Sequence, residues 1–364
     1  MRLREIQYQM SVRLKRVIPV FHKSHRENLI WMVVGMVYSR SVTLPKVAEH
    51  APVKTIQMES RVERFERLLR CVKLNPLDVL KPVARLVLTQ LARGRGQLMI
   101  LMDRTMINDT VNLLYVAVAF GSRALPLGWV VVPHEGNSNL ALQQQLLTWL
   151  KDCLPAGADV FIVADREFHS IHLAHWIKTA LKVHFVLRIK AGTWVQVQGQ
   201  WQKAGTLAHK GQTRVYERVR VTRDRHVPPS VHLVAVWDAD QEEPWLLISD
   251  VAEPDRVRSI YQQRFWIEEM FSDHKSRGLN LEATRLTDPD RLQRLLVAVT
   301  LAYLWIMEVG AVVVTRGWWR QVDNRGAQRS VSLCQIGLRW LREQLNQHLA
   351  PPFFSGHFHL LEGS

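Results

Sequence analysis

The feature that most constrains the fold is a change of apolar spacing at Gln97. Before it, apolar residues recur at helical intervals. After it, short unbroken apolar runs take over: residues 98–102 (LMILM), 112–120 (NLLYVAVAF), 128–132 (GWVVV), 159–164 (DVFIVA) and 183–189 (VHFVLRI). Runs of this length, closed by Asp, Gly or Pro, predict strands. Unbroken rather than alternating runs predict a sheet covered on both faces. Residues 139–150 and 169–181 carry helical spacing between them. Three strands, helix, strand, helix, strand is an α/β layout.

The flanking segments read differently. Residues 192–243 are rich in Val, Thr, Gln, Trp and Arg, with Gly199, Gly205 and Gly211 at turns, and predict a β-rich insertion. A strand follows at 245–249, a helix opened by Pro254 and stopped near Gly278, a long helix at 291–314 and an amphipathic helix at 331–349. Residues 1–95 read as helical and basic. One helix spans 29–38, and another spans 44–50 with Thr43 as its N-cap. A third, over 55–72, carries Arg61, Arg64, Arg67 and Arg70 at three-residue steps. Two readings stay open for that helix: a DNA-binding module, or a surface helix whose arginines pair with Glu59, Glu63 and Glu66. Arg93, Arg95 and the adjacent glycines are expected as a linker. The resulting division is 1–95 helical N-terminal region, 96–190 first part of the core, 191–244 β-rich insertion, 245–316 second part of the core, and 317–364 helical tail.

Forty-eight Lys and Arg stand against 33 Asp and Glu, a formal net charge of +15. Such an excess calls for a polyanionic partner, with nucleic acid ahead of an acidic membrane surface. Cys71, Cys153 and Cys334 form no CxxC pair, which excludes a cysteine zinc knuckle and a disulfide framework and suits a reducing cytosol. The basic N-terminus lacks an apolar core and a small-residue cleavage site, so no signal peptide is expected. Residues 295–314 are long and apolar enough to span a bilayer, and a buried core helix, the favoured reading, looks the same.

Two acids close predicted strands: Asp103 the first and Asp165 the fourth. If those strands are parallel neighbours, both acids leave one sheet edge, where ligand sites collect. A third acid, Glu268, lies in YQQRFWIEEMFSDHK. Tyr261, Arg264, Glu268 and Lys275 stand at offsets 0, 3, 7 and 14, within an arc of about 60° on one continuous helix. Three converging carboxylates are the hard-oxygen set preferred by Mg²⁺ or Mn²⁺, and two such ions can clamp both oxygens of a phosphoryl displacement. A strand-end acid by itself is more often a turn or cap residue.

These residues resemble the bacterial DDE transposases of the insertion-sequence 4 family, over about residues 97–314. The first acid matches LMDRT, the second VADREF, and the third the signature Y-x2-R-x3-E-x6-K without a spacing error. One departure is Arg104, where the family pattern has a small hydroxyl residue. The resemblance implies a ribonuclease-H-like catalytic core interrupted by the β-rich insertion. It implies Asp103, Asp165 and Glu268 as catalytic ligands of two Mg²⁺ (or Mn²⁺) ions, and Arg264, Lys275 and Tyr261 as phosphate contacts. Trp245 would stack on a base displaced during hairpin formation, and Arg61 and Arg64 are the N-terminal candidates for DNA contact. It implies cut-and-paste DNA transposition at terminal inverted repeats by a homodimer, with the 331–349 helix as a candidate contact, in the bacterial cytoplasm at the nucleoid and without a membrane. Glu167, Glu269 and Asp273 are nearby acids, and Glu269 and Asp273, about 100° or more off the stripe centre, are expected to be solvated or in salt bridges. Asp109 is expected as a turn residue, most of Trp194, Trp201 and Trp237 as insertion core, and His169, His172 and His175 as helix surface or phosphate contacts rather than a metal site. The rival readings are a nuclease of the same fold that cuts without joining, and a DNA-binding repressor with a dead catalytic domain.

Overall fold

A computed structural model describes the chain except for residues 1–2, 19–21, 52–56, 108–110, 225–230, 324–328, 350, 352, 354–357 and 359–364. The expectations for Thr55 and Asp109 fall outside the described residues. The N-terminal helices are α1 (Leu3–Val17), α2 (Lys23–Ser39), α3 (Leu44–His50), α4 (Met58–Leu69) and α5 (Pro76–Arg95). Pro76 starts α5 without wasting a donor, and the Asn75 side chain accepts from the amides of Leu77 and Asp78. Gly96, at φ 65°, ends it. Residues 93–95, expected as a linker, are therefore the last turn of a helix that packs against the sheet. Thr43 precedes α3 as expected, but its hydroxyl pairs with Ser41 instead of capping.

The sheet opens with β1 (Gln97–Ile107), β2 (Val111–Phe120) and β3 (Arg123–Val132), an antiparallel meander. Gly121 and Ser122, both at positive φ (53° and 59°), make the two-residue turn between β2 and β3. Helix α6 (Leu140–Lys151), capped by Asn139, leads to β4 (Asp159–Ala164), which returns parallel to β1. Helix α7 (Ile171–Trp176) leads to β5 (His184–Arg188), parallel to β4.

Beyond β5 the insertion contributes a small hairpin, β6 (Trp194–Val197) with β7 (Gln200–Lys203), then β8 (Gln212–Val219), β9 (Val231–Trp237) and β10 (Trp245–Ser249). Among the described residues the main sheet runs β3-β2-β1-β4-β5-β10-β9-β8. Most of the expected insertion thus continues the central sheet, and only the β6–β7 hairpin stands apart. The cause is the β5 edge: β10 pairs with it antiparallel, and β9 and β8 satisfy the next open edges in turn.

The chain then forms α8 (Pro254–Gln262), α9 (Trp266–Ser272), α10 (Pro289–Thr315) and α11 (Leu333–Asn346). Asp288 caps α10 by accepting from the Arg291 amide. This helix is long and apolar enough to cross a membrane, yet 94% of its most apolar stretch is buried inside the protein. It packs against α2, α4, α5, β3 and α11, so its all-round apolar surface is explained as a core helix. Helix α11 lays Ile336, Leu338, Leu341 and Leu345 on that core. Its apolar face is thereby occupied within the chain.

Candidate active site

Strands β1 and β4 pair in register from Gln97↔Asp159 to Met102↔Ala164. Asp103 and Asp165 are the next residue on each strand, so both stand where the parallel pairing ends. Asp103 does not end its strand as expected. β1 continues to Ile107 because β2 goes on pairing with it, Asp103 opposite Tyr115. One oxygen of Asp103 accepts from the Arg104 amide at 2.7 Å. Its carboxyl is pushed up to about 7, by burial first and then by the charges of Asp165 and Glu268, with the amide and Arg264 opposing. Asp165 caps a 3₁₀ turn at Arg166–Phe168, its Oδ1 accepting from the Glu167 amide at 2.8 Å.

The segment with Tyr261, Arg264, Glu268 and Lys275 is not one uniform helix. α8 gives way to a 3₁₀ turn at Gln263–Phe265, then to α9, then to a π turn at Asp273–Arg277. A 3₁₀ turn advances about 120° per residue instead of about 100°, and a π turn less, so the four side chains leave their common stripe. Tyr261 and Arg264 turn inward, at 0% and 7% exposure, while the Glu268 side chain is 52% exposed. Lys275 is half-buried on the π turn, and among the described residues it makes no ion pair with the three acids.

Arg264 joins two of those acids. Its guanidinium lies 2.5 Å from Glu268 Oε1 and 3.6 Å from Asp103 Oδ2, and stacks 4.2 Å over the Phe265 ring. Tyr261 is packed edge-on against Trp245, ring centroids 5.0 Å apart. Burial raises its phenol, and its hydroxyl lies inside, beside Arg264 and Arg188. In this conformation Tyr261 supports the half-buried Trp245 and does not face solvent. Phe265, 37% exposed, completes the aromatic group. Its position four residues after Tyr261 was the only sequence signal for it.

Several residues take roles the sequence left open. Arg104, next to Asp103, and Glu167, two residues after Asp165, form an ion pair at 3.0 Å. Glu243 bridges Arg166 and Arg188 at 2.9 and 3.4 Å. Glu269 pairs with Arg123 and Arg277. Asp273 is also in a salt bridge, but buried and not solvated: Arg123 donates to it at 2.9 Å and the Tyr303 hydroxyl at 3.2 Å. Arg61 donates to the Ala48 carbonyl, and Arg64 stacks on Trp31 at 4.7 Å, so both help hold the N-terminal helices together. Arg67 pairs with Glu63, and Arg70 with Glu63 and Glu66. Trp194 is 53% exposed and not insertion core, while Trp201 and Trp237 are half-buried.

Carboxylates are suitable donors for a hard divalent cation, and burial, reinforced by the charges of Asp165 and Glu268, raises the Asp103 carboxyl. Among the described residues, however, no three acid, His or Cys side chains stand close enough to share one ion. Arg264 instead pairs with both Asp103 and Glu268.

Comparison with curated proteins finds no match. Among solved structures, the chain is similar to piggyBac transposase in a synaptic complex with hairpin DNA, at 13% identity and a TM-score of 0.44, over 94% of this chain and 77% of that one. The family description "Transposase DDE domain" matches residues 109–305, more than half of the chain. Those residues include Asp165 and Glu268, and the strand carrying Asp103 adjoins them. The chain belongs to the transposase DDE domain family.

Proposed function

We propose that this chain is a transposase of an insertion sequence, resembling the insertion-sequence 4 family, that cuts DNA at terminal inverted repeats and joins the freed ends to target DNA. The observation that carries the reading is the convergence of Asp103 and Asp165 where β1 and β4 part, with Arg264 tying Glu268 to Asp103. The order β3-β2-β1-β4-β5, a meander followed by two parallel strands, supports a ribonuclease-H-like core. The net charge of +15 suits a DNA partner.

In this reading Asp103, Asp165 and Glu268 would hold two Mg²⁺ or Mn²⁺ ions, which when bound would polarise the scissile phosphate and activate the attacking oxygen. Arg264 would exchange its carboxylate partners for a phosphate oxygen flanking the scissile bond, because a guanidinium binds either anion through the same fork. Lys275 would take a neighbouring phosphate. Tyr261 would hold Trp245 in place and reach a phosphate only after a shift of its hydroxyl outward. Trp245 would stack on a base displaced in a hairpin intermediate, an interaction worth about 1–3 kcal/mol. Two copies would act on two ends.

Incubation of the protein with its element's ends and Mg²⁺, followed by a pre-cleaved end and target plasmid, tests this directly. Nicked, hairpin and joined products are expected in that order. Ends that are cut but never joined would favour the nuclease. Glu268→Gln is expected to bind end DNA with wild-type affinity and lower cleavage by at least about a hundredfold, the scale of losing one transition-state electrostatic contact. Undiminished cleavage would remove Glu268 from the site. Trp245→Ala is expected to nick normally and to lose about ten- to a hundredfold in hairpin yield, in line with one lost stacking contact. An equal hairpin yield would reject that role.

A further inference from the structure

We infer that Arg104 and Glu167 are positioning residues that fix the separation of Asp103 and Asp165, a role that rests on the proposed reading of those acids. The argument begins with what stops at this point of the sheet. The last backbone pair between the parallel strands is Met102↔Ala164. One residue further along each strand stand Asp103 and Asp165, with no pairing between β1 and β4 to hold them, and their like charges repel.

The Arg104–Glu167 pair spans that gap. Arg104 Nε lies 3.1 and 3.0 Å from the two Glu167 carboxylate oxygens. Each partner is coupled to one aspartate through the main chain: the Arg104 amide donates to Asp103, and the Glu167 amide donates to Asp165. The two side chains therefore hold the same two backbone segments whose amides orient the acids. Both are largely shielded, at 21% and 13% side-chain exposure, where an ion pair is less screened than at the surface.

Further bonds make the strap rigid. Arg104 Nη1 donates to Asn112 Oδ1 on β2 at 3.0 Å, and Asn112 donates to the carbonyls of His134 and Gly136. Glu167 Oε1 also accepts from the Ser138 amide and hydroxyl, at 3.2 and 3.4 Å. With both oxygens committed, Glu167 is a strap and not a spare metal ligand. The same geometry accounts for Arg104 where the family pattern has a small hydroxyl residue: in this chain the position supplies the cation for Glu167.

A divalent ion shared by Asp103 and Asp165 needs their oxygens held to within a few tenths of an ångström, and a 1 Å displacement near a reacting centre costs on the order of a hundredfold in rate. The test is Mn²⁺ binding by the full chain without DNA, followed by electron paramagnetic resonance of the free ion. End-DNA affinity and thermal unfolding are measured alongside. Arg104→Thr and Glu167→Gln are each expected to weaken Mn²⁺ binding about tenfold, with end-DNA affinity unchanged, and to raise the Mg²⁺ concentration for half-maximal cleavage by a similar factor. The double variant is expected to lose no more than the worse single variant, because the pair acts as a unit. Arg104→Lys, which keeps the charge, should recover part of the loss. Wild-type Mn²⁺ binding in both single variants, or losses that simply add in the double, would overturn the inference. If the single variants do not fold, Arg104→Lys and the charge-neutral double carry the same comparison. Failure of the underlying reading looks different: Asp103→Asn would then bind Mn²⁺ as tightly as the wild type.

Discussion

Asp103→Asn is expected to lower cleavage by on the order of a thousandfold and, in the same protein, to raise the unfolding temperature at pH 8. The second effect follows from the sign of the shift. Burial, reinforced by Asp165 and Glu268, pushes the Asp103 carboxyl up to about 7 from an ordinary 3.8. Between those two values the native protein holds a proton that the unfolded chain has lost, so stability falls as pH rises through the window and stays lower above it. A gap of that size corresponds to at most about 4 kcal/mol, reduced by whatever the site relaxes. Asn keeps an acceptor for the Arg104 amide without the charge, so its gain should be full at pH 8, smaller at pH 5 and gone below the ordinary carboxylate value. Thermal unfolding of both proteins at the two pH values, without divalent ions, checks the argument. Parallel pH dependence would show that Asp103 is not the strained group.

The same carboxylate shows where the sequence was legible. The apolar runs announced β1, β4 and β5 because strands covered on both faces leave an unbroken pattern, and the two aspartates were visible as the first polar residues after such runs. The spacing of Tyr261, Arg264, Glu268 and Lys275 was also visible, but its geometry was not. A uniform helical period cannot register the 3₁₀ turn at Gln263–Phe265 or the π turn at Asp273–Arg277, which depend on what those residues pack against. Asp273 is an instance: on a regular helix it falls on the solvent side, yet Arg123 on β3 and Tyr303 on α10 draw it into the core. Long-range pairing was equally hidden. Nothing local distinguishes β8 and β9, which extend the main sheet, from the β6–β7 hairpin, which does not. Arg104 looked like a misfit because its partner lies 63 residues away.

Gly337→Ala is the substitution expected to destabilise the fold most clearly, and it tests how α10 and α11 meet. A methyl group on Gly337 would lie 2.0 Å from the Ile306 carbonyl oxygen and 3.0 Å from the Gly310 amide nitrogen. In return, one on Gly310 would lie 2.5 Å from the Leu333 carbonyl oxygen. The nearest obstacles are backbone atoms on both sides, so no rotamer change relieves the clash and the helices must separate. Alanine favours a helix by about 1 kcal/mol over glycine, whereas overpacking at a rigid contact costs about 1–3 kcal/mol or more. Because separation also lifts Leu338 and Leu341 off α10, the cost should win, by a net ~2–3 kcal/mol and a fall of several degrees in unfolding temperature. Gly192→Ala, with open space around the added methyl, supplies the control and should be nearly neutral. The consequence reaches the site. Cys334 on α11 and Tyr303 on α10 both flank Asp273, at the exit of the segment that carries Glu268. Moving α11 outward removes one wall from that buried carboxylate, so cleavage measured well below the unfolding temperature should also decline. A Gly337→Ala protein as stable and as active as the wild type would mean that the two helices do not cross at these glycines.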